Sequence, residues 1–224
     1  LLDEINRIPL KSQSAFLEGL QERTVTIGKE VHKLPVFSFA IATMNPIEIG
    51  QGTFPLSEAA TDRFAVIMNI KYLPPNEEQR LVQFDFKKVK LDKIMPKENI
   101  IRLRSSIAEN VSLNPKLDKY IRRIVVASRP YNKETHENKF ESPSGLVNRF
   151  VDLGASPRAT ICWGHLAKTW ALLSGKRSFV LPEDIQNLAP YVLGHRIWLK
   201  PEASSENVSI DDVVSDLLQK VAVP

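Results

Sequence analysis

The pair Pro74-Pro75 divides this sequence into two parts with different hydrophobic patterns, and this division constrains the fold more than any other feature. Before it, residues 36–43 (VFSFAIAT) and 64–72 (FAVIMNIKY) are nearly continuous apolar runs, typical of strands that are covered on both faces in a parallel sheet. After it, apolar residues recur at helical spacing without a convincing strand. The sequence therefore predicts an α/β part followed by an all-helical part.

The first part alternates predicted strands with predicted helices. Leu1 and Leu2 predict the end of a further buried strand, and Ser12 predicts the N-cap of the helix that follows. Gly28 lies between two short β-prone runs, which favours a hairpin with a type II′ turn. This alternation is typical of an α/β fold with a parallel sheet.

The second part is predicted to consist of helices. The pair Ser156-Pro157 predicts the clearest helix start, because serine is a favoured N-cap and proline a favoured first residue. Cys162, Trp163 and Trp170 lie on the apolar stripe of this helix and are predicted core residues. Further helices are predicted over residues 76–83, 101–111, 117–128, 182–193 and 211–220.

Composition excludes several classes of protein. A hydrophobic fraction of 43% with 25% charged residues is ordinary for a globular chain. Because no apolar stretch approaches the roughly 18 residues of a membrane-spanning helix, we expect a soluble, cytoplasmic protein without membrane insertion. A lone Cys162 and four scattered histidines give no zinc-binding pattern. The net charge is only +4 and the basic run 87–93 lacks an aromatic platform, so nucleic acid is not expected as a partner.

Side chains with catalytic potential follow two of the predicted strands. Asp3 and Glu4 end the first strand, and Asn45 follows the run 36–43. Open α/β sheets bind ligands beyond the carboxyl ends of their strands. There, Asp3 could hold a hydrated Mg²⁺, Glu4 could orient or deprotonate a water, and Asn45 could help to place it. The same residues also fit a solvated acidic turn and an Asn-Pro turn.

Two arginines are candidates for phosphate contacts. Arg158 stands at the second position of its helix, where the helix dipole disfavours a cation but the free N–H groups favour a phosphate. Alternatively, Arg158 pairs with an acid across the gap between the two parts. Arg63, beside Asp62, fits a surface ion pair or an arginine supplied to a neighbour's phosphate. His195 and Arg196 follow a predicted helix end and are assigned structural roles.

Several segments together resemble the MoxR family of AAA+ ATPases. The segments LLDEINR (1–7) and ATMNP (42–46) resemble the Walker B strand and the sensor 1 strand end of that family. The segments TDRF (61–64) and GASPRAT (154–160) resemble its arginine-finger segment and sensor 2. The likeness extends over nearly the whole chain. It implies the C-terminal part of an AAA+ αβα P-loop-type core over residues 1–73, followed by an all-helical lid domain over residues 74–224.

The resemblance implies a role for each candidate residue. Asp3 would support Mg²⁺, Glu4 would activate the attacking water, and Asn45 would position that water beside the nucleotide. Arg158 would contact the γ-phosphate from the lid of the same subunit. Arg63 would reach the site of the adjacent subunit, which implies a ring, commonly a hexamer.

The resemblance also implies the wider function. ATP and Mg²⁺ would be the cofactors, and hydrolysis would drive chaperone-like remodelling or maturation of protein complexes. The client would be a protein, with a von Willebrand factor A domain protein as one expectation. The hairpin over residues 24–34 would match the pre-sensor 1 hairpin, which often faces the pore.

The sequence departs from the family in one important respect. It contains no G-x-x-x-x-G-K-[ST] loop, and it starts as though inside a strand. We therefore expect a fragment that is inactive alone because it lacks the phosphate-binding loop. The alternatives are a non-hydrolysing scaffold or interaction module, and a related AAA+ nucleic-acid motor or magnesium chelatase-type subunit. Residues 129–144, polar and rich in proline, predict a surface loop of unassigned role.

Overall fold

A computed structural model describes residues 1–45, 53–131 and 141–224 of the chain, which is mostly helical with few strands. The helices are Leu10–Glu22 (α1), Glu58–Thr61 (α2), Pro75–Leu81 (α3), Lys97–Asn110 (α4), Pro115–Ala127 (α5), Gly145–Phe150 (α6), Pro157–Leu173 (α7), Pro182–Leu193 (α8), Pro201–Ser205 (α9) and Ile210–Lys220 (α10). The strands are Thr24–Ile27 (β1), Glu30–Lys33 (β2), Val151–Leu153 (β3) and Trp198–Leu199 (β4). Short 3-10 turns lie at Ile5–Arg7 and Phe86–Lys88.

Strands β1 and β2 form the predicted hairpin. They pair antiparallel, with Ile27 opposite Glu30 at the end of the ladder. Gly28, the first residue of the two-residue loop, has a φ of +64°, while Lys29 is not in the left-handed region. A positive φ at the first central position alone is what a type II′ turn requires. The turn therefore agrees with the prediction.

The predicted buried strands are not formed as strands in this structure. Leu2 and Ala42 make a single parallel bridge, in which the Leu2 N–H donates to Ile41 O (2.8 Å) and the Thr43 N–H donates to Leu2 O (3.0 Å). Beyond it, residues 36–43 and 64–72 pair with no strand in the described ranges, and many of their apolar side chains are exposed. A strand needs a neighbour along its length to satisfy its backbone groups. The prediction of strands over residues 36–43 and 64–72 was wrong, although Leu2 and Ala42 do pair in the predicted parallel direction.

The hydrophobic core lies among the helices of the second part. Helix α7 packs against α8, α5 and α4, and α10 packs against α8, α6 and α5. Trp163 is fully buried at the centre, and its indole Nε1 donates to Ile185 O (3.1 Å). The core prediction is confirmed for Trp163 but not for Trp170, which is 39% exposed. Trp170 faces outward because Ala167 and Ala171 occupy the buried face of α7 at that level.

Helix starts follow the prolines more closely than the predicted caps. Helix α1 begins at Leu10 after Pro9, so Ser12 lies inside it, and α3 begins at Pro75, one residue before the predicted start at Asn76. The fixed φ of proline favours the first helical position, which explains why α3 begins at Pro75, whereas Pro9 is the N-cap of α1. The predicted cap of α7 is confirmed, because Ser156 Oγ accepts from the Arg158 N–H (3.1 Å). Most of the predicted loop over residues 129–144 lies outside the described residues.

Candidate functional site

Two chain segments bring the predicted Walker B and sensor 1 residues together. The Leu2–Ala42 bridge aligns the two segment ends, and Thr43 then joins them through its side chain. The Thr43 hydroxyl donates to Asp3 Oδ1 (2.5 Å) and accepts from the Glu4 N–H (2.9 Å). Thr43 therefore orients both carboxylate residues, a role that the sequence analysis did not assign to it.

Asn45 lies two residues after Thr43, on the segment that is bonded to Asp3 and Glu4. It is partly buried, and its backbone carbonyl accepts from Asn6 Nδ2 (3.3 Å). Asn6 is itself buried in the 3-10 turn that follows Glu4. The turn thus ties the segment carrying Asp3 and Glu4 to the segment carrying Asn45.

The carboxylates of Asp3 and Glu4 are open to solvent. Glu4 has a left-handed backbone (φ 48°, ψ 52°), and its side chain pairs with Arg7 at 3.2 Å, with both side chains about half exposed. Such an exposed pair contributes at most about 1 kcal/mol, so Glu4 can exchange it for another partner. The described residues contain no cluster of three or more His, Cys, Asp or Glu. Asp3 and Glu4 supply carboxylate oxygens, the ligand type that Mg²⁺ takes in proteins.

A second polar cluster surrounds Asp62, at the end of α2. Its Oδ2 accepts from Ser156 Oγ (2.7 Å), and its Oδ1 accepts from Arg196 Nε (2.9 Å). Arg158 Nη1 lies 3.6 Å from Oδ2. Of the two predicted alternatives for Arg158, the structure thus shows a pairing with an acid from the first part of the chain.

Arg196 holds the segment that follows Asp62. Its guanidinium, buried with 2% exposure, donates to Asp62 O (3.2 Å), Phe64 O (2.6 Å) and Ala65 O (3.1 Å), and also to Val192 O in α8 (2.6 Å). A buried charge is tolerated only when it is paired and hydrogen-bonded, and Arg196 meets both conditions. Arg196 therefore anchors residues 62–65 to the helical part.

His195 and Cys162 add to the same anchor. His195 Nε2 lies 2.9 Å from Phe64 O, and the Cys162 thiol donates to Ala65 O (3.5 Å). Burial, the larger cause, and the charge of Arg196 together lower the pKa of His195 to about 4. The neutral ring can then donate from Nε2 to Phe64 O. Burial also raises the pKa of the Cys162 thiol, which therefore stays protonated.

Arg63 and Arg158 lie on either side of this anchor. Arg63 is exposed, and its Nη1 donates to Ala59 O within α2 (2.6 Å). Arg158 is 45% exposed and contacts Asp62, the residue next to Arg63. The two predicted phosphate-binding arginines are thus brought into the same region of the molecule.

The loop before Arg158 is fixed from its other side. The Ala155 N–H donates to Ser128 Oγ (3.0 Å), and Arg129 Nε donates to Ala155 O (2.9 Å). A Cβ on Gly154 would lie 2.3 Å from Ser128 O, so the backbones approach closely here. The position of the loop is therefore set by the end of α5.

Comparisons with known proteins agree with this arrangement. Residues 1–66 match the ATPase family associated with various cellular activities (AAA), and residues 145–217 match the AAA lid domain. The chain is 36% identical over 225 residues to the chaperone MoxR1 of Mycobacterium tuberculosis, covering 100% of this chain and 57% of that protein. It is 26% identical over 238 residues to the protein MoxR of Methylorubrum extorquens, covering 99% of this chain and 65% of that protein.

This chain belongs to the MoxR family of AAA+ ATPases. A crystal structure of a candidate ATPase from Cytophaga hutchinsonii shares 34% sequence identity and the same fold, with a TM-score of 0.84 over 100% of this chain and 65% of that one. The uncharacterized protein YeaC of Bacillus subtilis is 36% identical over 227 residues. This MoxR-family chain spans 57% to 65% of the length of these relatives. Among the described residues, no helix has both the length and the apolar character needed to cross a bilayer.

Proposed function

We propose that this chain belongs to a machine that hydrolyses ATP to remodel or mature protein complexes. The observation that carries the proposal is the Leu2–Ala42 bridge, which puts Asp3 and Glu4 against the end of the sensor 1-like segment. Family membership, and the name of a relative as a chaperone, support a protein client. The ring, commonly hexameric, the von Willebrand factor A domain partner and the cytoplasmic location rest on family membership alone.

The residues joined by the Leu2–Ala42 bridge and the Thr43 side chain have different roles in this reaction. Asp3 would hold a hydrated Mg²⁺, which would supply charge neutralisation at the phosphate oxygens. Glu4 accepts a proton from the water whose oxygen attacks the γ-phosphorus, as the bond to the β-phosphate oxygen breaks and ADP leaves. Asn45 donates a hydrogen bond that orients this water and contacts the nucleotide. Thr43 fixes the direction of the Asp3 carboxylate through its hydroxyl.

Arg158 and Arg63 stabilise the charge that develops on the γ-phosphate. The resemblance implies that Arg158 acts within its own subunit and Arg63 on the adjacent one. The contact between Arg158 and Asp62, next to Arg63, favours a second arrangement, in which both arginines reach the same nucleotide. Mixed rings that combine Arg158→Ala subunits with Glu4→Gln subunits separate the two arrangements, because activity can be restored only if Arg158 acts across the interface.

The proposal is tested by Mg²⁺-dependent ATP hydrolysis of the protein expressed from its complete gene. Glu4→Gln should lower turnover by about 100-fold or more while ATP binding and ring assembly persist, because only the proton acceptor is removed. Glu202→Gln, an exposed substitution in α9, is the matched control and should leave turnover unchanged. Turnover absent from the folded, assembled wild-type protein would contradict the proposal and favour a scaffold. Hydrolysis that depends on DNA, with steep salt dependence, would favour a nucleic-acid motor.

A further inference from the structure

We propose that Asp62, held by the buried Arg196, is a positioning residue for Arg158. In this arrangement the Asp62 carboxylate retains Arg158 at the start of α7 until a phosphate takes its place. The inference rests on the proposed function, since it gives Asp62 and Arg196 a part in placing an arginine that reaches the γ-phosphate. Asp62 lies in the TDRF segment beside Arg63, and Arg196 follows the end of α8; the resemblance implies no catalytic role for either residue.

The contacts of Asp62 differ in strength. Arg196 Nε lies 2.9 Å from Oδ1, and its side chain is 2% exposed. Arg158 Nη1 lies 3.6 Å from Oδ2, beyond ordinary hydrogen-bond distance, and its side chain is 45% exposed. Water weakens the attraction in the exposed Arg158–Asp62 pair, whereas the buried Arg196–Asp62 pair is largely kept from water and is weakened less. Arg158 can therefore leave Asp62 for another anion, while Arg196 stays.

Arg196 also lowers the free-energy cost to Asp62 when Arg158 leaves it. A carboxylate that loses its sole cation in a partly buried place is strongly destabilised. Asp62 is 14% exposed, yet it keeps the Arg196 guanidinium and the Ser156 hydroxyl after Arg158 departs. No unpaired charge is therefore left behind at Asp62 when Arg158 moves to another anion.

The same contacts limit how far Arg158 can move. Its backbone N–H donates to Ser156 Oγ (3.1 Å), and that hydroxyl donates to Asp62 Oδ2 (2.7 Å). Arg196 in turn holds the backbone carbonyls of Asp62 and Phe64 on both sides of Arg63. The start of α7 is thus tied to Asp62, so a change in the Asp62 carboxylate should alter catalysis through Arg158.

A double-mutant cycle on kcat tests this. Asp62→Asn keeps the size of the side chain and one acceptor oxygen but removes its charge, and should lower kcat about tenfold when Arg158 is present. In an Arg158→Ala background the same change should lower kcat less than about twofold, because the residue through which Asp62 acts is gone. A purely structural Asp62 would instead lower kcat by the same factor in both backgrounds, and this would overturn the proposal.

Asp184→Asn is the matched control. Asp184 is buried and its carboxylate, like that of Asp62, pairs with an arginine: it accepts two N–H groups from Arg177, at 2.8 and 2.9 Å. It lies at the start of α8, away from Asp62, so its effect on kcat should be the same with and without Arg158. Equal dependence of the Asp62 and Asp184 effects on Arg158 would overturn the proposal.

Arg196→Lys provides a second member for the cycle, to be used if Asp62→Asn fails to fold. Lysine keeps the charge, but it cannot span the Asp62 carboxylate and the carbonyls of Phe64 and Ala65 as the guanidinium does. We expect a fall in kcat that is several-fold smaller in the Arg158→Ala background, because the part that acts through Asp62 and Arg158 is then lost. An inactive wild-type enzyme would overturn the proposed function as well. An active wild type that Glu4→Gln silences, combined with additive effects in the cycle, would overturn this inference alone.

Discussion

The protonation of His195 is governed by its burial and by the neighbouring Arg196. Burial and the adjacent guanidinium lower its pKa, the hydrogen bond to Phe64 and the charge of Asp62 only partly oppose them, and the resulting pKa is about 4. An unfolded histidine has a pKa near 6.5. Between these values the unfolded chain binds more protons than the native chain, so the free energy of unfolding decreases as the pH falls.

His195 should therefore make the protein sensitive to mild acid. Between pH 7.5 and pH 5 we expect it to reduce the free energy of unfolding by about 1 to 2 kcal/mol, measured by urea unfolding at each pH. His195→Gln should remove this part of the pH dependence, whatever its effect on absolute stability. His165→Gln, at an exposed position in α7, should retain the wild-type dependence. Identical pH dependence in wild type and His195→Gln would contradict the assignment.

At the level of elements, the loop between β3 and α7 depends on a close backbone contact. A Cβ at Gly154 would lie 2.3 Å from Ser128 O and 2.6 Å from the Arg129 Cα, both backbone atoms. Backbone cannot move aside as a flexible side chain can. Gly154→Ala should therefore destabilise the protein by about 1 to 3 kcal/mol in chemical unfolding.

Gly145→Ala is the control for this change. Gly145 begins α6, and a Cβ there would meet no atom within 4 Å. Alanine should be neutral there, or stabilising by up to about 1 kcal/mol through its higher helix propensity. If both variants unfolded at the same urea concentration, the close contact at Gly154 would not be constraining the loop.

Elements that depend on local sequence were predicted well. The hairpin follows from Gly28 in its turn, and α7 follows from the Ser156 cap and the proline after it. The runs 36–43 and 64–72 were predicted as strands because they are apolar, but apolarity indicates only that a segment suits a covered position. Whether a neighbouring strand pairs with it is a property of other segments, and the described ranges provide only the Leu2–Ala42 bridge.

One part of the candidate site could be predicted from the sequence, and another part could not. Asp3, Glu4 and Asn45 were expected to be neighbours because parallel strands end at one edge, and the bridge brings their segments together. The pairing of Asp62 with Arg196 joins residues 134 positions apart. Neither residue belongs to a local pattern that indicates the other, so only the three-dimensional structure could reveal the anchor.

At the scale of the whole molecule, burial is distributed unevenly. The main hydrophobic cluster runs from Ile107 to Val221, whereas the described residues before it bury few apolar side chains. Residues 82–95 between the two regions are all exposed. Local opening requires little free energy where few apolar contacts are lost, so the two regions should differ in stability.

Hydrogen exchange followed by mass spectrometry can measure this difference. Amides of residues 82–95 should exchange before those of α5, α7 and α8, whose apolar faces meet in the cluster. Leu217→Ala, at a fully buried position in α10, should destabilise the cluster by about 2 to 5 kcal/mol. Because these helices share one core, exchange should accelerate in α5, α7 and α8 together and stay unchanged in the β1–β2 hairpin. Acceleration confined to α10, or extending equally to the hairpin, would show that the cluster is not a separate cooperative unit.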